Sequence, residues 1–335
     1  MRVGINGFGR IGRTLGRLLS NHPDIHWVAV NDLMDEQNMK HLFRYDSVHG
    51  VYQGEIKDLN SGIQFGNSKV QVSHEKNPEE IPWSKAEVDV VIECTGIFRD
   101  EDQAKRHVHG TVQKVLLSAP AKKGNVPTVV MGINDDILQG DEVVLSNASC
   151  TTNCAAPMVD LIDEFLGIEK AYITTVHSYT GDQRLHDSPH KDLRRARAGA
   201  MSIVPTTTGA AKAITKIFPH LEGHLGGCGI RVPVPDGSLT DITFMVKKEA
   251  EAEEINDYFR AASAGKLKGV LGITEDPIVS VDIQGNPASC IFDTELTSVL
   301  GKMVKIVGWY DNEAGYSNRL VDLLLKIKVQ SFSNS

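Results

Sequence analysis

A cysteine at the start of a helix is the most reactive side chain that the sequence offers. Cys150 lies in the segment Ser146–Cys154 (SNASCTTNC), where a loop passes into the predicted helix Ser149–Leu166. The dipole at a helix N-terminus stabilises a thiolate and lowers the pKa of its thiol, so Cys150 is a candidate nucleophile. Cys154 follows one helical turn later, and we expect it to be buried. A zinc site would need two further soft ligands nearby, and none stands out, so no metal is expected.

A nucleophilic thiol needs an imidazole partner, which is commonly distant in sequence and adjacent in space. His177 ends the predicted strand Ala171–Val176 and is a candidate for that base. The residues alone leave alternatives open, because His177 is one of twelve histidines and most cysteines are small core residues. At this point a structural histidine and a structural cysteine are the competing interpretations.

A second chemical pattern lies at the N-terminus, where Gly7–Gly12 (GFGRIG) matches the dinucleotide-binding pattern G-x-G-x-x-G. Its three glycines permit a tight turn, a close approach to pyrophosphate, and tight packing of a helix on a strand. Asp32 lies twenty positions after Gly12, where a carboxylate binds the adenosine ribose and repels a 2′-phosphate. The pattern favours NAD over NADP, and a glycine-rich turn without a ligand is the alternative.

Strands and helices alternate around these residues in the first half of the chain. The predicted strands Val3–Asn6 and His26–Asn31 flank the predicted helix Arg13–Asn21, which makes a βαβ unit. Further predicted strands are Val88–Cys94, Lys114–Ser118, Thr128–Met131 and Glu142–Leu145. This alternation predicts an α/β fold with a Rossmann-type doubly wound parallel sheet.

The second half of the chain follows a different pattern. Its predicted strands are Ala171–Val176, Gly229–Val234, Thr240–Val246 and Met303–Tyr310, and its predicted helices are Ser149–Leu166, Ala252–Ala264 and Tyr316–Gln330. Residues 181–201 are polar and aperiodic, which predicts a long loop. We expect residues 1–148 to form an NAD-binding domain and 149–315 an α+β catalytic domain with a mainly antiparallel sheet. Residues 316–335 are expected to form a C-terminal helix that packs back on the NAD-binding domain.

Composition and charge exclude several classes of protein. The chain has 335 residues, 41% of them hydrophobic and 23% charged, which fits two globular domains and excludes disorder. A net charge of −8 disfavours a general nucleic-acid binder. No apolar run is long enough to span a membrane. We expect no signal peptide, because a strand is predicted directly after Met1. Five cysteines are too few for a disulfide framework. We expect a cytoplasmic protein with no dedicated nucleic-acid or membrane partner.

Six segments, in order along the chain, carry a resemblance to a known family. They are Ile5–Arg13 (INGFGRIGR), Ser146–Cys154 (SNASCTTNC), Thr174–Gln183 (TTVHSYTGDQ), Pro189–Arg197 (PHKDLRRAR), Pro205–Ala213 (PTTTGAAKA) and Trp309–Ser317 (WYDNEAGYS). With these motifs the chain resembles the glyceraldehyde-3-phosphate dehydrogenases over essentially its whole length. The resemblance implies a homotetramer in which the loop at 181–201 reaches a neighbour's cofactor pocket.

The resemblance also implies a mechanism. The Cys150 thiolate would attack the aldehyde of glyceraldehyde 3-phosphate to give a hemithioacetal. His177 would remove its proton as hydride leaves for NAD, and the resulting thioester would be attacked by inorganic phosphate to give 1,3-bisphosphoglycerate. His177, if protonated, would also stabilise the thiolate, so that the two groups titrate together.

The resemblance further assigns the groups that hold two phosphates and a cofactor. The substrate phosphate would bind Thr180 and Arg231. The inorganic phosphate would bind Ser149, Thr151, Arg195, Thr208 and Gly209. The cofactor would bind Gly7, Gly9, Arg10, Ile11, Gly12, Asp32, Lys76, Ser118 and Asn312. Hydroxyls, backbone amides and guanidinium groups suit phosphate oxygens chemically.

Two positions depart from the family pattern. Lys76 stands where many relatives have arginine near the adenine. Ser188 replaces a leucine that is frequent in NAD-specific members, and a serine there resembles photosynthetic enzymes that also accept NADP. Asp32 is present, however, and Leu33 lacks the hydroxyl that those enzymes offer beside it. The expectation is therefore a preference for NAD with weak use of NADP.

Three other functions compete with this assignment. Erythrose-4-phosphate dehydrogenases share the fold and the catalytic pair, but tend to lose motifs that are intact here at Tyr179-Thr180 and Thr206–Gly209. A non-catalytic NAD-binding protein could use the same scaffold, because a fold alone does not determine function. A cysteine hydrolase would leave the dinucleotide pattern without a use.

Overall fold

The computed structural model describes residues 1–332 and divides into two compact units, each with its own sheet. The first unit contains Met1–Ser149 together with the chain from Ser317 onward. The second unit contains Cys150–Tyr316. Among the described helices, none is both long and apolar enough to cross a membrane.

Strands and α-helices of the described residues are numbered in the order in which they occur along the chain. The strands are β1 (Arg2–Asn6), β2 (His26–Asn31), β3 (Tyr45–Asp46), β4 (Gly50–Val51), β5 (Ile56–Leu59), β6 (Gly62–Phe65), β7 (Ser68–Ser73), β8 (Val90–Glu93), β9 (Lys114–Leu117), β10 (Val144–Ser146), β11 (Ile168–Ser178), β12 (Val204–Thr206), β13 (Leu225–Val232), β14 (Ser238–Val246), β15 (Leu271–Thr274), β16 (Cys290–Leu300) and β17 (Met303–Tyr310). The helices are α1 (Arg10–Leu19), α2 (Glu36–Arg44), α3 (Glu101–Lys105), α4 (Cys150–Leu166), α5 (Ala210–Ile217), α6 (Ala252–Ala264) and α7 (Ala314–Phe332).

The first unit contains an eight-stranded sheet in the order β10-β9-β8-β1-β2-β7-β6-β5. The six strands from β10 to β7 are parallel, and β6 and β5 extend the sheet as antiparallel hairpins. The central strands β1, β8 and β9 are almost wholly buried, as expected for parallel strands covered on both faces. The expected doubly wound α/β sheet is confirmed, with an antiparallel edge added.

Two local predictions in this unit were wrong. The first helix begins at Arg10 and ends at Leu19, three residues earlier than expected at its start. Residues 128–131 form no strand and contribute only one bridge, from Thr128 to Ser146. The Asn134 side chain occupies the backbone groups that a strand would need, because it accepts from Val130 N and donates to Thr128 O.

An aromatic cluster holds the glycine-rich turn between β1 and α1 in place. Phe8, the second residue of that turn, is fully buried and stacks on Phe43 with ring centroids 5.9 Å apart. Trp27 and Phe65 complete the cluster, with centroids 5.8 and 6.1 Å from Phe8. Aromatic side chains bury large areas in few torsions, so this contact anchors the turn firmly.

The second unit contains a seven-stranded sheet in the order β12-β13-β11-β14-β17-β16-β15. Most neighbours are antiparallel, while β11/β13 and β15/β16 are parallel. The apolar helix α4 is buried along most of its length and packs against β11, β14, β16 and β17. The expected α+β unit with a mainly antiparallel sheet is confirmed.

The last helix belongs to the first unit from Ser317 onward. Lys326 forms an ion pair with Asp135, and Lys328 Nζ lies 2.9 Å from Asp24 Oδ1. Gln330 Nε2 donates to Leu138 O at 3.1 Å. These polar contacts, together with the buried Leu320, hold the C-terminal helix against the rest of the first unit.

Candidate active site

Helix α4 and strand β11 bring Cys150 and His177 together. Cys150 is the first residue of α4, and His177 is the penultimate residue of β11. The Cys150 Sγ lies 3.4 Å from His177 Nε2, within the range of a sulfur hydrogen bond. His177 is buried, and its edge faces the Tyr310 ring. The two residues have the geometry of a nucleophile and its base.

Arg231 is the third member of this group. The parallel pairing of β11 with β13 sets Arg231 opposite His177. Its Nη1 lies 2.8 Å from His177 Nδ1 and donates to Ser178 O at 3.0 Å. The same Nδ1 lies 2.7 Å from Ser178 O. A fixed cation thus stands directly behind the imidazole.

The pKa values of the pair differ from the expectation drawn from the helix dipole alone. Burial raises the pKa of the Cys150 thiol to about 11, although Arg231 and the Thr151 amide oppose that rise. Burial, and then the charge of Arg231, lower the pKa of His177 to about 3. Desolvation disfavours the charged form of each group. Both shifts therefore favour a neutral thiol beside a neutral imidazole.

A set of anion-binding groups lies in the same unit. Arg195 Nη1 pairs with Asp182 Oδ2 at 2.6 Å, and Arg195 Nε donates to Thr206 Oγ1 at 3.0 Å. The Thr180 hydroxyl also donates to the Asp182 carboxylate. Asp182 therefore joins two residues, Thr180 and Arg195, that were assigned to two different phosphates. Sequence reasoning missed Asp182, although it lies within the quoted motif at 174–183.

The remaining candidate phosphate residues lie at two helix starts. Thr208 and Gly209 immediately precede α5, where Thr208 Oγ1 accepts from Ala210 N at 3.2 Å. Ser149 immediately precedes α4. The Thr151 hydroxyl does not join the arginines; it lies 2.9 Å from Tyr310 Oη, which also meets Thr175 Oγ1 at 2.8 Å. Tyr310 was not expected as a partner, because only its place in a strand was evident.

The glycine-rich turn has the shape that a bound pyrophosphate requires. Gly7 has φ +95°, and a Cβ there would lie 2.6 Å from Thr95 N. A Cβ at Gly12 would lie 2.1 Å from Gly7 O. The helix can therefore pack this closely against the turn only because residue 12 has no side chain. A Cβ at Gly9 would meet no described atom within 4 Å. The Arg10 and Ile11 amides begin α1 beside this open space, which is where a helix N-terminus binds an anion. These residues fit NAD.

Asp32 is held rigidly at the end of β2. Its Oδ2 accepts from Phe8 N at 2.6 Å, and its Oδ1 accepts from Met34 N at 2.9 Å. The carboxylate thereby links the glycine-rich turn to the strand that follows it. Ser118, half-buried, directly follows β9 and donates its backbone N–H to Glu93 O at 3.0 Å. Lys76 is exposed beyond β7.

Asn312 is oriented by two serines that sequence reasoning missed. Ser178 Oγ and Ser238 Oγ donate to Asn312 Oδ1 at 2.8 and 2.7 Å. With its oxygen occupied twice, the side chain can offer only its NH₂ group to a ligand. The arrangement suits a carboxamide oxygen as the acceptor.

Three buried acidic residues flank Asn312. Asp311 accepts from Glu313 N, Ala314 N and Gly285 N at 2.7–2.8 Å, so its charge is well compensated. Burial, and then the charges of Asp311 and Glu313, raise the pKa of Asp236 to about 8. Asp236 therefore carries a proton at neutral pH. No signal in the sequence indicated this cluster.

Comparisons with known proteins place these features in a family context. Residues 1–101 match the model for the glyceraldehyde 3-phosphate dehydrogenase NAD binding domain. Residues 149–312 match the model for the glyceraldehyde 3-phosphate dehydrogenase C-terminal domain.

Several curated relatives are similar over nearly their full length. A glyceraldehyde-3-phosphate dehydrogenase of Streptomyces coelicolor is 54% identical over 327 residues, which are 96% of this chain and 97% of the relative. Relatives with the same name from Geobacillus stearothermophilus and, as number 1, from Bacillus subtilis are 48% and 46% identical over 325 residues. Each match covers 96% of this chain and 97% of the relative.

Proposed function

This chain belongs to the glyceraldehyde-3-phosphate dehydrogenase family, and from that membership we propose that Cys150 and His177 carry out its chemistry. The protein is an NAD-dependent oxidoreductase that converts D-glyceraldehyde 3-phosphate and inorganic phosphate to 1,3-bisphosphoglycerate, a step of glycolysis and gluconeogenesis. The observation that carries the residue assignment is the 3.4 Å contact between Cys150 Sγ and His177 Nε2.

The first step is attack of sulfur on the aldehyde. The thiol proton passes to His177 Nε2 as the Sγ–C bond forms, and His177 then gives that proton to the carbonyl oxygen, which yields the hemithioacetal and a free imidazole. Arg231 favours the thiolate through its charge, so it assists the nucleophile as the proton leaves. Splitting the reaction through a covalent sulfur intermediate separates the oxidation from the phosphorylation.

The second step is oxidation of the hemithioacetal to a thioester. His177 removes the hydroxyl proton as the C–H bond releases its electron pair, and bound NAD supplies the hydride acceptor. Burial and Arg231 lower the pKa of His177, so the imidazole is in the unprotonated form that a general base requires. Asn312, with its oxygen held by two serines, would orient the nicotinamide carboxamide.

The last step is attack of inorganic phosphate on the thioester carbonyl, which breaks the C–S bond. The released Cys150 sulfur takes back the proton held on His177, so the neutral thiol and imidazole are restored. We assign the substrate phosphate to Thr180 and Arg231. We assign the attacking phosphate to Ser149, Thr151, Arg195, Thr208 and Gly209. The ion pair of Arg195 with Asp182 supports this assignment, because it holds one anion-binding guanidinium in an orientation that carboxylate and phosphate oxygens both fit.

NADH formation from glyceraldehyde 3-phosphate and NAD, with and without phosphate, tests the proposal. Rapid turnover that depends on phosphate is expected. A single burst that stalls even with phosphate would contradict the assignment of the phosphate-attack residues. Turnover with erythrose 4-phosphate and none with glyceraldehyde 3-phosphate would make erythrose 4-phosphate the substrate. NAD binding without turnover of either compound would favour a non-catalytic protein.

We also propose that residues 1–148 bind the cofactor, that 149–315 are catalytic, and that 316–335 complete the cofactor-binding domain.

The protein is proposed to be a cytoplasmic homotetramer. Support comes from the loop at 181–201 and the segment after it, where Leu193, Met201 and Ile203 are 81%, 81% and 69% exposed. Several exposed apolar side chains within one short segment of the chain favour an interface there. Light scattering should give a mass of four chains, and cell fractionation checks the location.

A further inference from the structure

A buried network of polar side chains joins the carboxyl ends of four strands in the eight-stranded sheet. Asn6, Asn31, Ser73 and Glu93 are the last residues of β1, β2, β7 and β8. Asn6, Asn31 and Glu93 are each at most 3% exposed. Parallel sheets bind their ligands at this edge, so the network lies directly under the proposed cofactor site.

Glu93 is the centre of the network and accepts four hydrogen bonds. Its Oε2 accepts from Asn6 Nδ2 at 2.6 Å and from His107 Nε2 at 3.1 Å. Its Oε1 accepts from the Thr95 backbone N–H at 2.8 Å and from the Thr95 hydroxyl. Both oxygens of the Glu93 carboxyl group are thus fully used as hydrogen-bond acceptors.

The direction of the bond from His107 is fixed by Trp83. The Trp83 indole N–H, which can only donate, lies 3.3 Å from His107 Nδ1. His107 Nδ1 must therefore be unprotonated, and the hydrogen of the neutral imidazole resides on Nε2, facing Glu93. His107 is fully buried. The imidazole ring of His107 is therefore held in one orientation, in which Nε2 donates to Glu93.

The network ends at a turn beside the glycine-rich segment. The Thr95 hydroxyl, while donating to Glu93, accepts from Ile97 N at 3.0 Å and so closes the turn at residues 95–97. The Thr95 backbone lies so close to Gly7 that a Cβ there would reach within 2.6 Å. The position of Glu93 therefore sets the position of this turn against the first glycine of the pattern.

We propose that Glu93, held by Asn6 and His107, is a positioning residue that places the turn at 95–97 for the nicotinamide half of the cofactor. This inference rests on the proposed NAD-dependent function. A buried carboxylate costs free energy unless it is fully hydrogen-bonded. Four donors converge on Glu93, and two of them belong to the turn itself.

The network has a second branch that serves the other half of the cofactor. Asn31 Nδ2 donates to Asn6 Oδ1 at 2.8 Å, and Asn31 Oδ1 accepts from Ser73 Oγ and Glu75 N at 2.9 Å. This branch lies on the β2–β7 side, next to Asp32, where the adenosine half binds in such sheets. Perturbing Glu93 should therefore weaken binding of the nicotinamide half and spare the adenosine half.

Binding of NAD and of AMP to the Glu93→Gln variant tests this. Glutamine replaces one carboxylate oxygen with an NH₂ group. That group must face either the two Thr95 donors or the donors of Asn6 and His107, and the donors that it faces lose their acceptor. We expect the Kd for NAD to rise about tenfold, as for the loss of one charge-assisted hydrogen bond, and the Kd for AMP to change less than twofold. The KM for NAD should rise while kcat stays within twofold.

Thr95→Val and Thr95→Ser form a second, milder pair that leaves the buried carboxylate in place. The valine removes the bridging hydroxyl and should reproduce the selective loss of NAD affinity, whereas the serine should bind as the wild type does. Arg106→Gln is a control, because Arg106 adjoins His107 in sequence but pairs with Glu79 at the surface.

Equal weakening of NAD and AMP, or no weakening of either, would overturn the inference and leave the network a purely structural one. The same result follows if Thr95→Val and Thr95→Ser behave alike. A wild-type protein that binds AMP but not NAD would instead contradict the proposed function.

Discussion

Cys150 is the residue on which the proposed chemistry depends. A serine hydroxyl has a far higher pKa than a thiol, so Cys150→Ser should bind NAD normally and lose turnover at least about a thousandfold. Calorimetric titration and the rate of NADH formation measure the two effects. Cys228→Ser is the matched control, since Cys228 is a free, partly exposed cysteine of β13 and should be replaceable without loss. Retained turnover in Cys150→Ser would refute the assignment.

Asp236 gives the protein a pH-dependent stability. Its pKa is about 8 in the folded state against an ordinary value of 3.8, so between these values the folded state holds a proton that the unfolded chain releases. The free energy of unfolding must then fall as the pH rises through that window. Between pH 6.5 and 8 we expect a loss of roughly 1–2 kcal/mol from Asp236. His177 offsets a small part of this loss near pH 6.5, because its imidazole, with an ordinary pKa of 6.5, is still partly protonated in the unfolded chain.

Asp236→Asn should remove most of that loss, because an amide keeps a donor beside Asp311 without the charge. Urea denaturation at the two pH values measures the difference. Asp276→Asn, at an exposed position, should keep the wild-type pH dependence. If the Asp236→Asn and wild-type curves run parallel, Asp236 does not titrate in this range.

Asp32 is expected to set the choice of cofactor. Asp32→Gly removes the carboxylate that repels a 2′-phosphate, so the ratio of kcat/KM for NAD over NADP should fall about tenfold or more. NAD affinity should also fall, since Asp32 holds the Phe8 and Met34 amides. Asp35→Asn keeps an equivalent N-cap on α2 and should leave the preference unchanged. An unchanged ratio in Asp32→Gly would mean that Asp32 does not contact the ribose.

The sequence indicated the reactive residues better than it indicated their surroundings. Cys150 and the glycine-rich segment have local signatures, namely a helix start and a fixed spacing. His177 could be chosen among twelve histidines only by resemblance to a family. Asp182, Ser238 and Asp236 had no signature, because their roles come from strand register and shared burial. The pKa directions of the catalytic pair depend on desolvation, which no local pattern reports.

At the scale of elements, the joint between β1 and α1 depends on two glycines for different reasons. Gly12→Ala would place a Cβ 2.1 Å from Gly7 O, so we expect the free energy of unfolding to fall by about 1–3 kcal/mol. Gly9→Ala meets open space and should leave stability nearly unchanged while weakening NAD binding, because the methyl group enters the anion site. Thermal unfolding and NAD titration of both variants separate the effects. Equal stabilities would contradict the close approach at Gly12.

Elements with strong periodicity were predictable, and short ones were not. Ala252–Ala264 and Met303–Tyr310 have the predicted bounds, since each has a clear pattern and a clear end. The hairpins β5–β7 went unpredicted because their strands are short and partly exposed. Residues 128–131 read as a strand by composition, yet the Asn134 side chain takes their backbone groups. A side chain several residues away can thus override local propensity.

At the scale of the whole molecule, the proposed tetramer should depend on the exposed apolar residues near the 181–201 loop. Leu193→Asp puts a charge where an interface would bury it, so we expect dissociation to smaller species in light scattering. Val279→Asp is the control, because Val279 is also exposed (56%) but lies elsewhere in the chain. A tetramer that survives Leu193→Asp would exclude this segment from the interface.

The first unit is discontinuous, because it includes the chain from Ser317 onward as well as Met1–Ser149. During synthesis, its opening 149 residues leave the ribosome while its last helix is still unmade. At roughly 5–20 residues per second, the remaining stretch of about 170 residues takes on the order of ten to thirty seconds to translate. For that time the nascent sheet lacks the helix that buries Leu320 and pairs with Asp135. The cofactor-binding half is thus begun first and completed last, so its sheet cannot be fully covered until the whole chain has been made.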